Sequence, residues 1–351
     1  MKTIGLAVFF SLIASATCFF GRAAALAEEP VRIKIATLAP SGSYDQLRDL
    51  ILEKTGNQVD LKFYYGGIQG DAKDVLRKIR FRQLHGATLS GYGLGQIVPE
   101  SRITNIPYVF RNYGEIEYVR ENLEEYLNSE FEKEGFIVLG WYDIGFIYTF
   151  SKVPITSLEI ARQQKFWVPE NDMVANTICD VLDISPISLS ITDVMTSLST
   201  RLIDAASAPP LAAVAFRWYT RFQYMSEYPM GNVVSALVIT KKQWDTISPA
   251  NRKVVKDTSK VFFEKAKEVI REKNRKSITL LKKAGIQVVK LDKDEHKQFI
   301  EMTAEKTSKA LVGKMFSQEL LDKTMGLLEE YRRMHPDSTI ERITEDIPAK
   351  E

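Results

Sequence analysis

Two glycine-flanked tyrosine clusters give this chain its best equipment for holding a small molecule. Tyr64 and Tyr65 precede Gly66-Gly67, and Tyr92 opens the run Tyr92-Gly93-Leu94-Gly95 directly after Gly91. Tyrosine supplies a broad apolar face and one hydroxyl, a pairing that suits a ligand with both characters. Tyr64 and Tyr65 alternate about a strand, so one faces a core and Tyr65 is the candidate contact beside Tyr92. Catalytic chemistry finds no support. His85, His296 and His335 are far apart, and none stands at metal-ligand spacing with another His or Cys. Cys179 lies on an apolar helix face, VANTICDVL, where a buried inert thiol is the expectation. The glycine run lacks the Lys-Ser/Thr of a phosphate loop and reads as a strand end entering a helix. No metal, cofactor or nucleophile–base constellation is expected, and the chain is read as a non-enzyme.

The segments that must position these residues alternate in type. Residues 31–38, VRIKIATL, alternate apolar and polar and run into Ala39-Pro40-Ser41-Gly42, a strand feeding a loop. A helix over 43–54 stops at Gly56, a second strand covers 58–64, and residues 71–83 carry Val75, Leu76 and Ile79 at helical spacing. Strand–helix alternation of this kind indicates an α/β domain with a largely parallel sheet. Between Ser248, placed as an N-cap before Pro249, and Gly285 runs a helical pattern about 55 Å long at 1.5 Å per residue. The alternative is two helices broken near Asn274. The stretch from Pro336 onward has no periodicity and reads as frayed.

With 351 residues and 45% apolar content, two domains are the expectation. Lys2, the apolar run 4–20 and Ala25-Leu26-Ala27 before Glu28 form a secretory signal cleaved after Ala27. The signal carries two of the 47 basic side chains, Lys2 and Arg22, and none of the 45 acidic ones, so the mature chain is electrically neutral. Neutrality argues against a nucleic-acid footprint, which needs a basic face. The mature chain keeps only Cys179, so it forms no internal disulfide.

Residues 165–214, KFWVPENDMVANTICDVLDISPISLSITDVMTSLSTRLIDAASAPPLAAV, resemble the second-domain core of TRAP-transporter solute receptors of the DctP type. The segments IKIATLAPSGS, FYYGGIQGDAKDVLRKIRFRQLHGATL and IPYVFRN are similar to first-domain segments of the same receptors. The resemblance implies an α/β fold: a two-lobed periplasmic-binding-protein clamp, type II-like in its TRAP receptor variant, with the long helix as a spine across both lobes. It places lobe I in residues 28–148 and 236–287, lobe II in 149–235 and 288–345, and a tail in 346–351. Segments 146–152 and 232–241 have the strand character of the crossovers between lobes. The first helix is about one turn shorter than the family usually shows.

The resemblance also implies a binding site, and this chain departs from it. Trp167 stands where the family's arginine clamps a ligand carboxylate. Phe146, Ile147 and Tyr148 follow Gly145 where a second arginine is common. Ile191 replaces a common aromatic, and Ala208-Pro209-Pro210 replaces a segment that often carries an Asn. Glu170, Asn171 and Asp71 are candidate polar anchors at helix entrances. Arg111, after PYVF, is the arginine nearest the expected cleft; Arg77, Arg80, Arg82, Arg217 and Arg221 are further cations that could restore acid binding. A cleft that exchanges guanidinium for Trp, Phe, Ile and Pro disfavours small anions, because a desolvated carboxylate without a partner is costly. The resulting expectation is a receptor that takes a neutral, aromatic or amphipathic molecule and passes it to a TRAP-type membrane permease. The alternatives are a same-fold receptor of a lipid-handling or sensing system and, remotely, a secreted enzyme. Monomer and dimer both stay open.

Overall fold

The computed structural model describes residues 29–290 and 293–343, so the signal segment lies outside the described residues. The chain begins with β1 (Val31–Ala36), α1 (Asp45–Lys54), β2 (Val59–Tyr64), α2 (Ala72–Arg80), β3 (Gly86–Ser90) and α3 (Gly91–Gly95). A 3-10 segment, Pro99–Asn105, leads to α4 (Tyr113–Lys133) and the 16-residue β4 (Phe136–Ser151). Then come α5 (Leu158–Arg162), β5 (Trp167–Pro169), α6 (Met173–Leu182), β6 (Ile187–Leu189), α7 (Val194–Ser199), β7 (Ala205–Ala208) and α8 (Pro210–Ala215). The remainder is β8 (Tyr224–Ser226), β9 (Gly231–Thr240), α9 (Lys241–Trp244), α10 (Pro249–Lys283), β10 (Gln287–Val289), α11 (Lys293–Leu311) and α12 (Gln318–Met334).

β4 joins two sheets. Its first part, Phe136 to Ile147, pairs antiparallel with β9, beyond which lie β3, β1 and β2. Its end, Tyr148 to Ser151, pairs with β7 on one edge, and Phe150 and Ser151 pair with β8 on the other. The first set of strands builds one lobe of a two-lobed α/β clamp. β7, β8 and β10, with the β5–β6 pair, build the second. Two register shifts interrupt β4, at Val138/Gly140 and Asp143/Gly145. Each such bulge turns the side chains that follow onto the opposite face.

α10 is continuous through Asn274, so the two-helix alternative falls. Its 35 residues span about 52 Å at 1.5 Å per residue. The expected start holds: Ser248 Oγ accepts from Asn251 N–H, and Pro249 occupies the first turn, where a missing N–H costs no helical bond. Lys267 and Arg271 of α10 reach Glu117 of α4 at 3.2 and 3.0 Å. Both bulges of β4 lie under this helix. A Cβ on Gly140 would strike the Phe263 ring, and one on Gly145 (φ +132°) would lie 2.6 Å from Asn274 Nδ2. Glycine is required at Gly145 by its backbone angle as well as by space.

The stretch from Pro336 corrects one expectation as far as residue 343; residues 344–351, with the expected tail, lie outside the described residues. Residues 336–343 are not frayed: Glu341 N–H donates to Arg111 O, Ile343 N–H donates to Glu227 O, and the Ile343 side chain is buried. Long-range backbone pairing and one apolar anchor hold a segment that has no helical or strand period of its own.

Candidate functional site

A cavity of about 1220 Å³ lies between the lobes and has two chemically different walls. On the first lobe it meets hydroxyls. Thr88 Oγ1 donates to Thr37 Oγ1 at 2.6 Å, and the Tyr44 and Tyr142 hydroxyls share a hydrogen bond of 2.9 Å. Burial raises the pKa of both phenols, so they stay neutral hydrogen-bonding groups at ordinary pH. Asn232 joins this wall, donating from Nδ2 to Asp143 while its buried Oδ1 has no hydrogen-bond partner.

The second-lobe wall has an apolar shell, beside which lie the hydroxyls of Ser157, Ser190, Ser207 and Ser226 and the Glu170 carboxyl. Val168, Ile178, Leu182, Ile184 and Phe299 belong to a small hydrophobic cluster, and all five line the cavity. That cluster is therefore a shell around space. Cys179 lines it too, and burial pushes its thiol up to about 11, which keeps it protonated and unreactive at neutral pH.

Trp167 forms part of the same wall while being held from behind. Its Nε1–H donates to Leu189 O at 3.0 Å, and its ring meets Trp218 edge-on at 5.3 Å. The side chain is only 7% exposed, so its indole is both packed core and cavity lining.

One arginine reaches the cavity among the described residues, and the sequence did not single it out. Arg102, on the 3-10 segment Pro99–Asn105, donates from Nη1 and Nη2 to the two carboxylate oxygens of Asp172 at 2.9 and 3.3 Å. Its Nε donates to Asn105 Oδ1, and Asn105 Nδ2 donates in turn to the backbone oxygen of Asn232. Asp172 belongs to the second lobe, where its Oδ1 also caps α6 by accepting from Val174 and Ala175 N–H. The pair thus bridges the lobes, with side chains 8% and 7% exposed. Lys73 and Glu170 make a second, exposed bridge at 3.2 Å.

The glycine run of α3 makes room for this arginine. A Cβ on Gly91 would collide with Asn105 Oδ1, and one on Gly95 would lie 2.7 Å from Arg102 Cγ. Gly91 and Gly95 are four apart, hence on one helical face, and that face receives the arginine stem. Gly95→Ala is expected to destabilise the protein by about 1–2 kcal/mol in denaturant unfolding, overpacking outweighing the gain in helix propensity. Unchanged stability would mean that the Arg102 stem moves aside freely.

Of the residues expected at the site, Trp167, Tyr92, Ile147, Glu170, Ile191, Ala208 and Pro209 line the cavity, as does Asp71, the N-cap of α2. Six others do not. Phe146 and Tyr148 are buried in the main core, on the opposite face of β4 from Ile147. Tyr65 packs beside Tyr44 and donates to Asp45 at 2.6 Å, outside the cavity. Asn171 is an exposed turn residue at φ +60°, and Pro210 is buried in the first turn of α8. Arg111 is exposed, its backbone taken up by Glu115 and the C-terminal strap. The side chains of β4 that do face the cavity are Tyr142 before the bulge at Asp143/Gly145, Ile144 within it, then Ile147, Thr149 and Ser151 after it. The change from even to odd numbers is the bulge's effect, and strict alternation could not reveal it.

The first helix, α1, borders the same space. The cavity extends to Gln46, Leu50 and Lys54 of α1 and to Val261, Lys265 and Val269 of α10. Val261 and Val269 are 56% and 53% exposed, giving this side an apolar rim. No cluster of three or more His, Cys, Asp or Glu suited to a metal occurs among the described residues.

Residues 41–314 match the DctP family, described as bacterial extracellular solute-binding protein, family 7. The chain belongs to this family. A similar curated protein of Escherichia coli is the 2,3-diketo-L-gulonate-binding periplasmic protein YiaO, 21% identical over 250 residues, which are 70% of this chain and 75% of that one. Among solved structures, a TRAP periplasmic solute-binding protein of Desulfovibrio salexigens with bound orotic acid superposes with a TM-score of 0.78 at 19% identity, over 87% of this chain and 99% of that one. Another, from Haemophilus influenzae with bound L-gulonate, gives a TM-score of 0.77 at 17% identity, over 85% and 99%. The DctP member described here therefore has the fold of TRAP solute-binding proteins.

Proposed function

We propose that this DctP-family chain is an extracytoplasmic receptor that closes on a neutral, amphipathic small molecule and delivers it to a TRAP-type permease after removal of residues 1–27. The observation that carries the reading is the wall chemistry: neutral hydroxyls on one lobe and an apolar shell within the other, with Trp167 where the resemblance expects an arginine and Phe146-Ile147-Tyr148 where a second is common. A cavity of about 1220 Å³ leaves room for such a ligand. Burying roughly 200 Å² of its apolar surface supplies on the order of 5 kcal/mol before association costs. Acids bound to structural relatives are properties of those proteins; here the one cavity arginine among the described residues is paired with Asp172, and the lining lysines, Lys54, Lys265 and Lys273, are exposed to solvent.

The test is thermal unfolding of residues 28–351 against pooled small carboxylic acids and pooled neutral amphipathic compounds. Ligand at a hundredfold excess over its dissociation constant stabilises by about 2.7 kcal/mol, which raises the midpoint by several degrees. A rise with neutral compounds is expected. A rise with acids alone would overturn the assignment.

A further inference from the structure

The arginine that reaches the cavity carries a carboxylate of the protein's own. Asp172 binds Arg102 through both oxygens, in the two-point geometry by which a guanidinium binds a ligand carboxylate. The two residues come from opposite lobes, so the contact exists only when the cleft is closed around them. We propose that Asp172 is a built-in occupant of the cleft's arginine, which excludes acidic ligands and supplies the cross-cleft ion pair itself. The proposal rests on reading the inter-lobe cavity as the ligand site.

Three features support it. Asp172 is fixed independently of Arg102, because its Oδ1 caps α6 at Val174 and Ala175. Arg102 is fixed independently of Asp172, because Asn105 takes its Nε and the face of α3 bearing Gly91 and Gly95 receives its stem. Both side chains are more than nine-tenths buried. A ligand carboxylate could reach the guanidinium only by leaving the Asp172 carboxylate buried and unpaired, which is a large penalty, whereas a neutral ligand leaves the pair intact. Closure then draws on an ion pair that does not depend on the charge of the cargo. Asp172 thus acts as a specificity-determining residue.

Asp172→Asn tests this, since the amide oxygen can still cap α6 while the compensating charge is lost. The probes are acetate, benzoate and hexanoate, each compared with its amide at matched ionic strength. Wild type is expected to show no preference for the acid over the amide. Asp172→Asn is expected to unfold several degrees lower in buffer, to recover in the carboxylates, and to bind at least one of them tenfold or more tighter than wild type does. Arg102→Met combined with Asp172→Asn should lose that response. If Asp172→Asn is unfolded in buffer, the same titration reads return of the helical circular dichroism signal, and no return counts against the proposal. A folded Asp172→Asn that does not distinguish acid from amide, or a double variant that still does, overturns it. Wild type that binds the acids as tightly as the variant would instead overturn the neutral-ligand reading on which the proposal rests.

Discussion

Trp167→Ala is expected to lose about 3 kcal/mol of folding stability and, separately, to weaken the true ligand at least about thirtyfold. The two losses have different physical sources. The stability term comes from the back of the indole, where the edge-on contact with Trp218 and the hydrogen bond to Leu189 O disappear. Full truncation of a buried aromatic costs about 3–5 kcal/mol, and the lower end applies because one side of this ring already faces open cavity. The affinity term comes from the front face, where the ligand loses a rigid apolar surface worth about 2 kcal/mol. Trp167→Phe separates the hydrogen bond from the ring. It should cost about 1 kcal/mol of stability and much less affinity. Denaturant unfolding and calorimetric titration with the best neutral compound measure the two terms. Stability lost with affinity unchanged would make Trp167 a core residue only, and neither lost would remove it from both roles.

What could be read from the sequence divides along a physical line between local and non-local signals. The start and stop of α10 were legible because Ser248, Pro249 and Gly285 act within one turn of the helix ends. The family segments around Trp167 were legible for the same reason, since strand, helix cap and turn follow one another closely. The face of β4 was not. Its alternation resets at the Asp143/Gly145 bulge, so Phe146 and Tyr148 turn into the core and Ile147 faces the cavity. Gly145 is the one residue there whose sequence hinted at the irregularity. Arg102 was missed because its meaning depends on Asp172, seventy positions later and in the other lobe. The spacing of Gly91 and Gly95 was visible, but it says only that something packs closely, not what. The hydroxyl wall likewise draws Thr37 and Tyr44, Thr88, and Tyr142 from three distant segments, each unremarkable alone.

Asn274→Leu should cost about 2–5 kcal/mol and loosen the junction between the lobes. Asn274 is buried in the middle of α10, where an amide has no propensity advantage, and its value lies in what it ties together. Its Nδ2 donates to Ile144 O at 2.7 Å and to Ile270 O at 3.1 Å, while its Oδ1 accepts from Leu211 N–H at 3.0 Å. Ile144 lies within the bulge that redirects β4, just before that strand passes from β9 to β7 and β8. Leu211 is in the first turn of α8, whose N-cap is Pro209 and which has no capping side chain of its own. Asn274 therefore caps α8 from another helix and fixes the bulge of β4 at once. Leucine matches the volume but leaves a buried carbonyl and a buried N–H unpaired, at about 1–3 kcal/mol each. Both orphaned groups sit where the shared strand crosses between lobes, so the loss should exceed that of removing an ordinary helix-surface amide. Faster hydrogen exchange at Leu211 N–H, together with a smaller scattering change on ligand addition, is the expected signature of a pin at the pivot. Reduced stability with exchange at Leu211 and ligand-induced compaction both unchanged would reduce Asn274 to a packing residue and leave the crossover strands to set the closure geometry without it.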